Sequence, residues 1–204
     1  MSDIRSVLTE TTLAREGIGA YFRPRDVARM GVSFYDLQRS VSAGGVEKVG
    51  AGLYRLTAVE PNEMETIAMV GCAIPGGIIC LLSALRIHAI GTQSPHQVWI
   101  ALDRKARKPK EPGTQLRIVR FSGAMLSYGV VAQRMLGVPV RITSPARTVV
   151  DCFRYRNTVG LDVALEALRD AFRAGKATVS QIVRAAEVCR ARTVMESYLD
   201  TLAP

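Results

Sequence analysis

The pattern of apolar and polar positions divides the chain into short elements. Ser2 to Glu16 carries a loose helical stripe of Ile4, Val7, Leu8 and Leu13, with Ser2 or Asp3 as its cap, and Gly17-Ile18-Gly19 ends it. Pro24 suits the first turn of a second, short helix that Gly31 stops. Ser33 with Asp36 forms a capping box with Asp in place of the usual Glu, and it opens a third helix. In that helix Phe34, Leu37 and Val41 recur at i, i+3 and i+7, which predicts an inward face, and Gly44-Gly45 closes it. Val46–Val49 and Leu53–Leu56 alternate as strands about the turn Gly50-Ala51-Gly52. Helix, helix, tight turn, helix and hairpin in under sixty residues predict a winged helix-turn-helix over 1–58, with a boundary around Pro61.

From residue 59 to 204 the pattern mixes strands and helices. Thr66 to Leu85 runs twenty residues without a charge, long enough to span a bilayer, but Pro75-Gly76-Gly77 divides it. Two core helices, near Glu63–Cys72 and Gly77–His88, are the expected outcome. Strands follow at Val98–Leu102 and Leu116–Phe121, then a pair at Val130–Leu136 and Val138–Ile142 turning near Gly137. Ser144-Pro145 opens a helix through Arg154. Leu161, Leu165, Leu168 and Phe172 mark the next helix, and Thr178 with Gln181 caps another that runs to about Cys189. Val194, Tyr198, Leu199 and Leu202 mark a last one. The fold class is therefore α+β: a winged N-terminal unit, then a mixed α/β domain with a helical C-terminal tail.

Composition changes this picture in one respect. The chain of 204 residues carries 27 Lys and Arg against 18 Asp and Glu, a net charge of +9. Residues 59–150 hold eleven of the basic groups against five acidic ones. Such an excess favours a polyanionic partner. Cys72, Cys80, Cys152 and Cys189 form no Cys-x-x-Cys pair, and they read as buried reduced thiols of a cytoplasmic protein. The N-terminus lacks the apolar core of a signal peptide.

The chemistry legible in the pattern is that of binding. With Phe34, Leu37 and Val41 turned inward, Tyr35, Gln38, Arg39 and Ser42 face away from the third helix, which Ser33 starts. Arg39 suits a guanine edge and Gln38 an adenine edge in a major groove. Arg25 and Arg29 on the second helix, with Lys48 and Arg55 on the hairpin, are placed for phosphates, which set register. The run Arg104-Lys105-Ala106-Arg107-Lys108-Pro109-Lys110 has five cations in seven residues. It is a candidate contact for nucleic acid or an acidic protein, and otherwise a mobile solvated loop. His88 and His96 have no zinc-spaced companions, and no Gly-rich phosphate loop or nucleophile elbow is present, so neither a metal nor a cofactor is expected. Asp103 ahead of Lys105 has a faint nuclease character. Asp151 four residues after Arg147 reads as a surface ion pair, and Trp99 and Phe121 read as core.

Three stretches resemble the AbiEi-type antitoxins, the transcriptional-regulator half of type IV toxin–antitoxin systems. They are Val49–Leu56; Leu82–His88 followed by Ser94–Ala101; and Thr143–Phe153 leading into Gly160–Leu165. The resemblance implies a cytoplasmic bacterial protein without enzymatic activity. Its N-terminal domain would bind inverted repeats in its own promoter, on double-stranded DNA. Its C-terminal domain would oppose a nucleotidyltransferase-like toxin. The alternatives are a divergent nuclease-like enzyme and a stand-alone transcription factor with a ligand-sensing domain.

Overall fold

The computed structural model describes residues 8–60 and 62–199. The expected helical start at Ser2, Asp3, Ile4 and Val7, the boundary residue Pro61 and the closing Leu202 lie outside them. The chain forms an α+β protein with two compact units: one of residues 1–75, 108–115 and 132–140, the other of residues 76–107, 116–131 and 141–204. Residues 1–58 fall wholly in the first unit.

In the first unit the order is α1 (Glu10–Arg15), β1 (Tyr21–Phe22), α2 (Pro24–Ala28), α3 (Phe34–Ser42), β2 (Val46–Gly50), β3 (Leu53–Leu56) and α4 (Glu65–Ala73). Each start has a local cause. Thr9 caps α1 through its hydroxyl, which accepts from the Thr12 amide at 3.2 Å. Pro24 sits in the first turn of α2, where no amide hydrogen is needed. The Asp26 carboxylate accepts from the Arg23 amide at 2.8 Å. In α3 the expected capping box is formed: the Asp36 amide donates to Ser33 Oγ at 3.1 Å, and Asp36 accepts from the Ser33 amide at 3.1 Å. Gly31 at φ +79° and Gly44 at φ +75° turn the chain after α2 and α3 in the left-handed region that glycine enters without strain.

The three strands make one antiparallel sheet in the order β1-β3-β2. Sequence reading missed β1, which is two residues long. Its presence makes β3 the central strand, and Leu53, Tyr54 and Leu56 are all buried instead of alternating. Leu13, Phe22, Val27, Leu37, Val46, Tyr54 and Leu56 form the core, and Phe22 stacks on Tyr54 at 6.2 Å between ring centroids.

A five-stranded mixed sheet is ordered β6 (Leu116–Phe121), β5 (Val98–Asp103), β4 (Ile78–Ile79), β8 (Val138–Thr143) and β7 (Val130–Met135); β6, β5 and β4 belong to the second unit, and the residues of β8 and β7 are divided between the two. β5 pairs parallel with β6 and antiparallel with β4, and β4 pairs parallel with β8. Both helices expected near Glu63–Cys72 and Gly77–His88 are formed, but the start of the second is corrected. The second apolar stretch opens as β4, and only then becomes α5 (Leu81–Ile87). A short apolar run has no period to separate a buried strand from a helix. Among the described residues no helix is long and apolar enough to cross a membrane.

The C-terminal helices are α6 (Pro145–Arg154), α7 (Arg156–Val159), α8 (Leu161–Arg173), α9 (Val179–Val188) and α10 (Arg192–Leu199). α6 is the hub: eight consecutive residues from Ala146 to Phe153 are buried. Trp99 and Phe121 are core residues as expected, and all four cysteines are buried free thiols. Burial pushes Cys72 and Cys189 up to about 11 and raises Cys80 and Cys152 as well, so all four stay protonated near neutral pH.

A candidate nucleic-acid interface

The helix α3 divides its residues differently from the sequence expectation. Leu37 is fully buried, Ser40 is buried and Val41 is half-buried, so the inward stripe runs at i, i+3 and i+4 from Leu37. Phe34 is not in it. Its side chain is 63% exposed, and neighbouring Tyr35 is 73% exposed. Phe34 shares the Leu37 spacing but lies in the first turn of α3. Two aromatic rings therefore stand in solvent at the start of this helix, with Arg39 and Ser42 exposed further along it and Ser33 exposed at its cap. The Ser33 hydrogen bonds, with the charge of Arg39, hold Asp36 below the usual carboxylate range.

Gln38 is only half-exposed. Its side-chain amide donates to the Tyr54 hydroxyl at 3.1 Å, tying α3 to the central strand. On the second helix Arg25 is 67% exposed and lies 3.7 Å from Asp26, a pair of little energetic weight at that exposure, while Arg29 is exposed. In the hairpin Lys48 is exposed opposite Tyr54, and a bulge between Lys48 and Gly50 precedes the turn.

Arg55 does not stand with these residues. Its guanidinium is 12% exposed, 3.1 Å from Glu65 and 3.7 Å from Glu47, and donates to the Val59 carbonyl at 2.8 Å. Glu65 also accepts from the Tyr21 hydroxyl at 2.6 Å; burial and this bond raise the Tyr21 pKa. Arg55 faces both Tyr21 and Glu47 across the sheet because β3 is central. Arg55 is thus engaged with Glu65 and Glu47 and fastens α4 to the sheet.

Arg104, Lys105, Arg107, Lys108 and Lys110 are all exposed. The run is nonetheless divided, with Arg104, Lys105 and Arg107 in the second unit and Lys108 and Lys110 in the first. A cleft of about 430 Å³ lies in the first unit, lined by Arg25, Arg29, Tyr21 and Cys72 among others.

In the second unit the pair Arg147–Asp151 is not at the surface. Both side chains are fully buried, correcting the surface reading. Arg147 Nε lies 2.9 Å from each Asp151 oxygen. The rest of the guanidinium donates to the carbonyls of Tyr128, at 2.6 Å, and Met125, at 3.3 Å, and its centre is 4.9 Å from the Phe121 ring. Burial raises the Asp151 carboxyl above the usual carboxylate range, and the charge and hydrogen bonds of Arg147 pull it back down. Asp103 stands elsewhere: its Oδ1 accepts from the Lys105 amide at 2.7 Å and its carbonyl from Arg120 at 2.9 Å. Among the described residues no three His, Cys, Asp or Glu side chains gather as a metal-binding group. His88 is half-buried with Nε2 2.7 Å from the Thr143 carbonyl, which only accepts, so Nε2 carries the proton. Burial holds the ring below its ordinary pKa.

No protein-family model and no curated protein matches the chain. Among solved structures, the RV2827C protein of Mycobacterium tuberculosis is similar in fold, with a TM-score of 0.59 at 11% identity. That alignment covers 96% of this chain and 77% of the other.

Proposed function

We propose that the chain is a DNA-binding repressor whose first unit is a winged helix-turn-helix, and that it serves as the antitoxin of a type IV toxin–antitoxin pair. The observation that carries the first half is the exposed face of α3. It stands on a unit whose order is helix, strand, helix, helix, strand, strand, the order of a winged helix with its β2–β3 wing. Phe34, Tyr35, Arg39 and Ser42 are exposed together on a capped helix of nine residues, narrow enough for a major groove. Arg39 forks onto a guanine edge, and an aromatic ring at the helix start meets a thymine methyl group or the sugar. Arg25, Arg29 and Lys48 hold phosphates. The net charge of +9 supports a polyanionic partner. A single module has a small footprint, so tight binding requires two copies on repeated half-sites.

The antitoxin half rests on the resemblance of the stretches around Leu82–Ala101 and Thr143–Leu165. Their residues build the centre of the second unit, including α5, β5 and α6. The nuclease-like alternative is disfavoured by Asp151, which is sealed from solvent and bound to Arg147.

The test is binding to the chain's own promoter, with repression and rescue measured separately. Arg39→Ala is expected to weaken operator binding by about 1–3 kcal/mol, roughly 5- to 150-fold, and to relax sequence preference at one position. It is expected to relieve repression while leaving rescue from the product of a neighbouring nucleotidyltransferase gene intact. Unchanged promoter binding by this variant refutes the recognition-helix assignment. Absence of rescue by the wild-type chain refutes the antitoxin role.

A further inference from the structure

A second cleft in the first unit, of about 530 Å³, opens beside the turn Gly50–Leu53 that joins β2 and β3. The segment Pro109–Pro112 forms another part of its lining, although it lies more than fifty residues further along the chain. That segment is seated, not free. Residues 108–115 belong to the same compact unit as the hairpin, and Pro112 is buried. Gly113, at φ +88°, lies against β2: a Cβ there would stand 3.7 Å from the Val49 carbonyl oxygen and 3.9 Å from Met69 Sδ. Pro109 and Pro112 each fix a backbone angle, so Lys110 projects from a restrained strap.

The charge in this cleft is unbalanced. Arg23, Arg25 and Lys110 line it, against the carboxylate of Glu111. The Arg23 guanidinium is tied to the Ala73 carbonyl, which holds it in place. Among the described residues Lys110 has no ion-pair partner, and Glu111 is exposed and free to turn outward. A cavity edged by a glycine-containing turn and bordered by fixed and mobile cations suits an oxyanion carried on a larger body.

We propose that this cleft seats a backbone phosphate of the duplex bound by α3, clamped between Arg25 and Lys110, so that the distant strap 108–112 completes the wing. This rests on the DNA-binding reading and adds to it a contact drawn from the middle of the chain.

The test uses the full chain, a duplex of its own promoter and a scrambled duplex of equal length, with affinities measured between 50 and 200 mM salt. Lys110→Gln is expected to weaken both duplexes by the same factor. It is expected to lower the slope of log affinity against log salt by about 0.9, so that it loses roughly threefold less affinity than wild type across that range. Lys110→Arg restores the slope. If wild type binds and Lys110→Gln keeps the full slope, the phosphate site is overturned while the DNA-binding reading stands. If wild type shows no salt-dependent affinity for either duplex, both fall.

Discussion

Replacing Asp151 by Ala measures what the centre of the second unit depends on. In the folded chain Arg147 and Asp151 are both fully buried, and the guanidinium is paired to both carboxylate oxygens at 2.9 Å. Removing the carboxylate leaves a permanent, buried positive charge with two carbonyl partners and no counter-ion. Stranding one member of a buried pair costs about 3–5 kcal/mol. An exposed i, i+4 pair in the same spacing contributes only about 0.3–0.5 kcal/mol, so the two readings of this pair differ by nearly tenfold. The chain's single tryptophan, Trp99, reports on this unit, since it sits 7% exposed in β5 within the same core. Urea unfolding followed by its fluorescence is the assay. With a slope of about 2 kcal/mol per molar, the midpoint is expected to fall by roughly 1.5–2.5 M. Asp151→Asn, which keeps an oxygen acceptor but no charge, is expected to fall between wild type and Ala. A loss below about 1 kcal/mol in Asp151→Ala would refute the buried arrangement and return the pair to the surface.

Three further outcomes follow from the same geometry. In α3, Leu37→Ala is expected to cost about 2–5 kcal/mol, whereas Phe34→Ser is expected to change stability by no more than about 0.5 kcal/mol while weakening promoter binding; thermal melts and anisotropy separate the two. Gly19→Ala is expected to destabilise the first unit by about 1–3 kcal/mol or more, because its Cβ would stand 2.3 Å from the Val138 nitrogen and 2.5 Å from the Gly137 carbonyl carbon, both backbone atoms; a melt indistinguishable from wild type would rule out that approach. Below the ordinary histidine range the unfolded chain takes up a proton that half-buried His88 resists, so its contribution to stability is present near neutral pH and is lost on acidification. Wild type is therefore expected to lose more stability than His88→Gln between about pH 7.5 and 5.5, read by urea midpoints at the two values.

Local chemistry was enough to place most elements. The Ser33–Asp36 and Thr178–Gln181 capping boxes, Pro24 and Pro145 in first helical turns, and the glycine turns at Gly50–Gly52 and Gly137 act through neighbours within three or four residues, so their signals are written in order along the chain. The strands expected at Val98–Leu102 and Leu116–Phe121 are formed as β5 and β6, the first a continuous apolar run. The exposed positions Arg39, Ser42, Arg25 and Lys48 on the candidate interface were legible too, because helical and strand periods assign faces directly.

What the chain order did not contain was which element each face would meet. The two-residue strand β1 is too short to show a period, yet by pairing with β3 it makes that strand central and draws Arg55 into a network with Glu47 and Glu65. Phe34 has core spacing but reaches past its neighbours into solvent, and Arg147 with Asp151 has surface spacing but lies where α6 is covered on every side. Lys110 reads as part of a loop until the packing of Gly113 on β2 brings it to the hairpin. Sequence alone determined the elements and the side chains they carry, because caps, turns and periods are short-range. The tertiary structure alone decided which charges are buried, which aromatic rings are left bare and which distant segments share a cleft. Burial is a property of the partner that arrives, and that partner comes from elsewhere in the chain.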